Sequence, residues 1–188
     1  HTPGLKMVIP SSPRNARALL VSAIRDPDPV VFYEPKALYR AFREEVPDEE
    51  ETFPIGKSHL AREGRDVTLV SFGAMMHPTL QAAELLKEKD GIDAEVIDLL
   101  TLAPLDDSLF TASAKKTGRI VVVHEAPRSF GAGAEIVARL VEKSFLSLEA
   151  PVCRVTGFDL VIPLFQREMD YLPGVHRIVS AVRETVQY

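Results

Sequence analysis

Between Gly118 and His124 the chain reads Arg119-Ile120-Val121-Val122-Val123, with four β-branched residues in a row and no polar alternation. Such a run suits a strand buried on both faces, the habit of a parallel sheet held between helices. Gly118 can take the left-handed conformation that ends a helix, and Lys115 and Lys116 suit that helix's negative pole. His124 and Glu125 then fall at the strand's carboxyl end, the edge where open α/β sheets carry their ligands. Neighbours on a strand point to opposite faces, so these two do not make a catalytic pair by themselves. From the residues alone, a structural role and a chemical one both stay open.

The rest of the chain alternates in the same manner. Ser12 and Pro13 start a helix, along which Ala16, Leu19, Leu20, Ala23 and Ile24 form an apolar stripe. Pro27 and Pro29 end it, and Val30 to Tyr33 reads as a strand. From Arg40 to Arg62 the character changes: Glu44, Glu45, Asp48, Glu49, Glu50 and Glu51 surround Pro47, as in a solvated linker. Beyond it come strands at 67–72, 94–97, 120–123 and 152–155, and helices at 78–89, 106–116, 132–146 and 175–186, the second capped by an aspartate. This order predicts an α/β fold with a doubly wound, mainly parallel sheet and right-handed crossovers.

At 188 residues with 46% hydrophobic content, the chain can bury a real core. A formal net charge of −5 argues against a nucleic-acid binder held by phosphate contacts. The single cysteine, Cys153, cannot form an internal disulfide and reads as a strand residue. No apolar run approaches the roughly 18 residues that span a bilayer, which points away from a membrane partner. Gly131-Ala132-Gly133 opens like a dinucleotide fingerprint, but Ile136 stands where the third glycine belongs, so close packing at a helix start is the better reading. His59, His77, His124 and His176 lack a zinc spacing, and Ser71-Phe72-Gly73 is no nucleophile elbow. The helix end near Arg25 leaves carbonyls without partners, with Ala23, Ile24, Asp26 and Asp28 clustered there. That is either an ordinary cap or a set of oxygen ligands for a hard cation.

Four segments carry a resemblance. They are His1-Thr2-Pro3-Gly4-Leu5-Lys6 with Ile9-Pro10-Ser11-Ser12-Pro13, Phe32-Tyr33-Glu34-Pro35-Lys36 with Leu38-Tyr39-Arg40, Lys116 to Arg128, and Leu148 to Gly157. In this order they resemble the β subunits of thiamine-diphosphate-dependent 2-oxo acid dehydrogenases. The resemblance implies that residues 1–39 close a pyrimidine-binding domain, 40–65 form a linker, and 66–188 form a transketolase carboxy-terminal-like domain. It also implies that the chain, which opens at His1 in mid-domain, is a piece of a longer subunit.

What the family does follows as expectation. A 2-oxo acid is decarboxylated with thiamine diphosphate and magnesium, held mainly by a partner α chain and the upstream domain, and the acyl unit passes to lipoyl groups. The expected partners are the α subunit, a second β subunit and the lipoyl acyltransferase core. The expected location is the cytoplasm of a bacterium or the mitochondrial matrix of a eukaryote. The activating glutamate and the substrate-side histidine belong before His1, so no catalytic or cofactor-binding residue is assigned here, and the chain alone is predicted to be inactive. Matching relatives hold a structural potassium ion at Ala23, Ile24, Asp26 and Asp28. His124-Glu125-Ala126-Pro127 is closer to branched-chain members, whereas Pro54-Ile55-Gly56-Lys57 also occurs in pyruvate members; the expectation leans to branched-chain acids. Leu100, Leu105 and Leu160-Val161 depart from the family pattern. The Val186-Gln187-Tyr188 end is either an acyltransferase contact or a solvated terminus. A non-catalytic assembly module with this fold is the alternative of another class.

Overall fold

Ser12 holds an extended conformation, accepts a hydrogen bond on Oγ from the Asn15 N–H at 3.4 Å, and donates its own N–H to Asn15 Oδ1 at 2.9 Å. With Pro13 pre-set for the first turn, this reciprocal cap starts the first helix where the sequence predicts it. In the computed structural model, which describes residues 2–188, the elements run β1 (Lys6–Val8), α1 (Pro13–Arg25), β2 (Val30–Phe32), β3 (His59–Arg62), β4 (Val67–Ser71), α2 (Met76–Asp90) and β5 (Ala94–Asp98). Then follow β6 (Thr101–Ala103), α3 (Ser108–Thr117), β7 (Ile120–Pro127), α4 (Ala132–Ser144), β8 (Cys153–Gly157), α5 (Glu168–Tyr171) and α6 (Val175–Val186).

Among the described residues the larger sheet has five strands in the order β3-β5-β4-β7-β8, parallel except for the antiparallel edge strand β3. All of β4 and β5 is buried, and so is β7 from Ile120 to His124. Alternate residues serve opposite cores. Leu69, Val121 and Val123 pack with α2 and α6 on one side, and Val70, Ile120 and Val122 with α3 and α4 on the other. Each wholly buried aliphatic side chain contributes about 1.5–3 kcal/mol, so these two faces hold the sheet. The expected doubly wound α/β architecture is present. Gly118 closes α3 at φ 65°, and Gly91 closes α2 at φ 69°.

A smaller sheet, β2-β1-β6, joins distant stretches: β2 runs parallel to β1, and β6 lies antiparallel on its other side. Neither β3 nor β6 is expected from the sequence. The stretch 40–65 is therefore not linker throughout, because His59–Arg62 pairs with β5 as the edge of the main sheet. The acidic part is largely solvated, as expected, but it is anchored along α1. Glu44 accepts the Arg14 N–H at 2.8 Å, Glu51 pairs with the Arg14 guanidinium, and Glu50 takes both ends of Arg25 at 2.6 and 2.9 Å. Exposed pairs of this kind are each worth at most about 1 kcal/mol, so the strap is fastened lightly. The expected aspartate cap of the 106–116 helix is also shifted. Asp106 accepts from the Ser108 N–H at 3.1 Å, while Asp107 spends its carboxylate on Lys143 and Arg139 and ties α3 to α4.

Candidate functional site

From β4 the chain passes through α2 to β5 on one side, then through α3 back past β4 to β7 on the other. Right-handed crossovers put those two helices on opposite faces, so the carboxyl ends of β4 and β7 flank the switch point where α/β sheets open a crevice. Phe72 and His124 meet there, their rings 6.2 Å apart and inclined by 13°.

A bulge aims the histidine. Val123 pairs with Val155 and Pro127 with Gly157, so β7 takes four steps where β8 takes two, and the His124-Glu125-Ala126 stretch leaves the regular ladder. His124 ends wholly buried (0% exposed) beneath the first turn of α4. A Cβ at Gly133 would stand 2.6 Å from its Nε2, and one at Gly131 2.6 Å from its Cε1. Close packing therefore requires both glycines, as the sequence reading holds, and the partner they pack on is His124.

Among the described residues neither ring nitrogen of His124 has a hydrogen-bond partner. Burial, and after it the charge of Arg154, depress its pKa; the Ala126 backbone works weakly the other way without reaching hydrogen-bond geometry. The ring is neutral at physiological pH. Glu125 is exposed beside it, its carboxyl pKa raised by partial burial and by Glu168. The two do not act as a pair.

Asp98, at the carboxyl end of β5, is 1% exposed, and burial pushes its pKa up to about 7. It accepts from the Ser11 hydroxyl and, at 3.3 Å, from the Leu100 N–H, where the backbone turns to φ 54°. No sequence reading singles it out. The available signal is an aspartate closing the apolar run Val96-Ile97 before Leu99-Leu100.

The proposed cation ligands meet a different cation. Lys6 Nζ lies 2.7 Å from Asp26 Oδ1 and 2.9 Å from Asp28 Oδ2, and this contact first of all holds the Asp26 pKa down. Ile24 points outward at 75% exposure. With an ammonium on both carboxylates, their side chains do not fit a second cation there. No group of three or more His, Cys, Asp or Glu side chains among the described residues is placed to hold a metal. Cys153 opens β8 half-buried, as expected of a strand residue, with its thiol pKa raised by burial. Of the departing residues, Leu100 is buried and Leu105 packs against the α3–α4 core, whereas Leu160 and Val161 are exposed. Among the described residues no helix is long and apolar enough to cross a membrane.

Residues 56–178 match the family model of the transketolase C-terminal domain. The chain belongs to that family. All 188 residues are 50% identical to the pyruvate dehydrogenase E1 component subunit beta of Staphylococcus aureus, and 186 residues are 50% identical to that of Bacillus subtilis. These matches cover 58% and 57% of the relatives, so the chain spans less than two thirds of their length. A split-gene transketolase solved as an inactive beta4 tetramer superposes with a TM-score of 0.78 at 26% identity, over 98% of this chain and 58% of that one. The resemblance read from four segments thus extends along the whole chain. Within this transketolase C-terminal domain, Phe72 and the buried His124 stack at the switch point.

Proposed function

We propose that this chain is the carboxy-terminal part of the β subunit of a thiamine-diphosphate-dependent 2-oxo acid dehydrogenase, and that it assembles and supports an active site whose reacting groups lie elsewhere. The 50% identity to E1 beta subunits along all 188 residues carries the reading. Both relatives named above are pyruvate dehydrogenase subunits, which favours pyruvate over the branched-chain acids that His124-Glu125-Ala126-Pro127 suggests. Thiamine diphosphate, when bound, supplies the carbon nucleophile and the electron sink for decarboxylation.

The residues of this chain contribute position. Asp98 and Ser11 fix the turn before α1 to the main sheet, and the two buried faces of that sheet make a rigid base for neighbouring chains. In this reading the diphosphate and its magnesium ion are held mainly by an α subunit and by the upstream domain of the β subunit, as in the family that the sequence resembles. A second β subunit and a lipoyl acyltransferase core complete the proposed assembly, in the cytoplasm of a bacterium or the mitochondrial matrix of a eukaryote. A potassium ion at this helix end would draw on backbone carbonyls such as those of Ala23 and Ile24, since Lys6 occupies the carboxylates of Asp26 and Asp28.

The test is kinetic. An enzyme reconstituted from the full-length β subunit bearing this sequence and its α subunit should oxidise pyruvate in a thiamine-dependent manner, while this chain alone should not. A higher kcat/KM for 2-oxoisovalerate than for pyruvate would reverse the substrate choice, and absence of any 2-oxo acid turnover would leave a non-catalytic assembly module.

A further inference from the structure

The first turn of α4 has an unusual set of neighbours. Its N-cap, Gly131, brings no side chain to the free N–H groups, and the positive end of the helix dipole is concentrated there. His124 lies against this turn, fully buried and unpartnered among the described residues, with its Nε2 edge facing Gly133. A buried ring N–H left unmet is costly, and a bound acceptor would remove that cost.

Two guanidinium groups flank the same turn. Arg154 Cδ is 3.4 Å from the position a Gly133 Cβ would take. Arg154 donates to the Arg128 carbonyl at 3.0 Å, and Arg128 to the Arg154 carbonyl at 3.4 Å; among the described residues neither is paired with a carboxylate. Asp159, which feels the charge of Arg128, is committed to the Ser129 N–H and hydroxyl at 2.8 and 2.7 Å. Arg128 is exposed, so the place opens to solvent on its side.

Helix N–H groups, two guanidiniums without a direct ion pair and an imidazole nitrogen all accept one kind of guest, an oxyanion of more than single charge. Gly131 and Gly133, lacking Cβ atoms, let it approach the backbone. We propose that the start of α4 binds a phosphate group, free or as a phosphate ester, with Arg128 and Arg154 holding its charge and His124 donating from Nε2. A dinucleotide is not the guest, because Ile136 replaces the third glycine that such a fingerprint needs.

The experiment titrates the full-length subunit bearing this sequence with inorganic phosphate, and separately with glycerol 3-phosphate, against sodium chloride at matched ionic strength. The readouts are the His124 ring nitrogens by NMR and the Tm. A saturable shift of the His124 signals with a rise in Tm is expected, weakened at least about tenfold in Arg154→Gln and Arg128→Gln and retained in Arg43→Gln. Tighter binding of the ester would assign the site to a phosphorylated metabolite or residue, and equal binding to free phosphate. Responses that follow ionic strength alone, or that survive unchanged in Arg128→Gln, would overturn the proposal; Arg128 is exposed, so that variant remains informative if Arg154→Gln fails to fold.

Discussion

The Ser11 hydroxyl donates a hydrogen bond to Oδ2 of Asp98, tying the turn before α1 to the carboxyl end of β5 across 87 residues of sequence. The acceptor is an aspartate that burial holds at a pKa of about 7, against 3.8 for a free side chain. The folded state therefore binds the carboxyl proton of Asp98 more tightly than the unfolded state does. Its stabilising contribution is complete below about pH 4 and is lost as pH rises toward 7.

Asp98→Asn removes the charge, keeps one acceptor oxygen for the Leu100 N–H, and puts an amide NH2 in place of Oδ2 that can donate to the Ser11 hydroxyl oxygen. At pH 8 the variant should be more stable than the parent by up to a few kcal/mol, and at pH 4 close to it or weaker. Urea unfolding at both pH values decides the matter; an equal difference at pH 4 and 8 would mean that Asp98 is not titrating with folding.

His124 titrates in the opposite sense. Its pKa is lowered in the fold by burial, so the unfolded chain takes up the proton first and stability declines as pH drops below about 6.5. Replacing it by Phe keeps a ring against Phe72 and should flatten the stability profile between pH 5 and 6.5. A slope unchanged by His124→Phe would place the acid sensitivity elsewhere.

Gly133→Ala would put a methyl group 2.6 Å from His124 Nε2, and overpacking of this kind costs about 1–3 kcal/mol. The penalty should shrink in a His124→Ala background, where the ring is gone. Additive losses in the double variant would show that the glycine serves some other contact.

Lys6→Gln leaves Asp26 and Asp28 without their shared cation. Asp26 has its pKa lowered chiefly by Lys6, so the pair stabilises above the ordinary carboxylate range and ceases to do so as pH falls through the depressed value. The variant should thus lose Tm at pH 7, and the loss should shrink as pH falls below the ordinary carboxylate range. The parent should melt at the same temperature in potassium and sodium chloride; a potassium-specific rise would restore a metal to this place.

How far the sequence reaches depends on the range of the interaction. The Ile120–Val123 strand, the Ser12 cap and the helix stop at Gly118 are written in neighbouring residues, and each appears where its pattern predicts. β3 and β6 are too short for periodicity and exist because Asp98 and Met7 offer them backbone partners. The glycines at 131 and 133 announce a close approach, yet only the bulge in β7 reveals that His124 is what approaches. The carboxylates of the expected cation site follow the same rule: Asp26 and Asp28 are local to one helix end, but the Lys6 that pairs with them arrives from a strand.

The pairing of β6 with β1 reaches beyond local architecture. A protease cutting the exposed acidic strap would produce two peptides, yet the small sheet draws one strand from the downstream piece and two from the upstream one, and Asp98 grips Ser11 across the break. Backbone hydrogen bonds, not the covalent thread, make the halves a single cooperative unit. A nicked molecule should therefore melt in one transition and reassemble by fragment complementation, with the seam of folding lying elsewhere than the seam in the sequence.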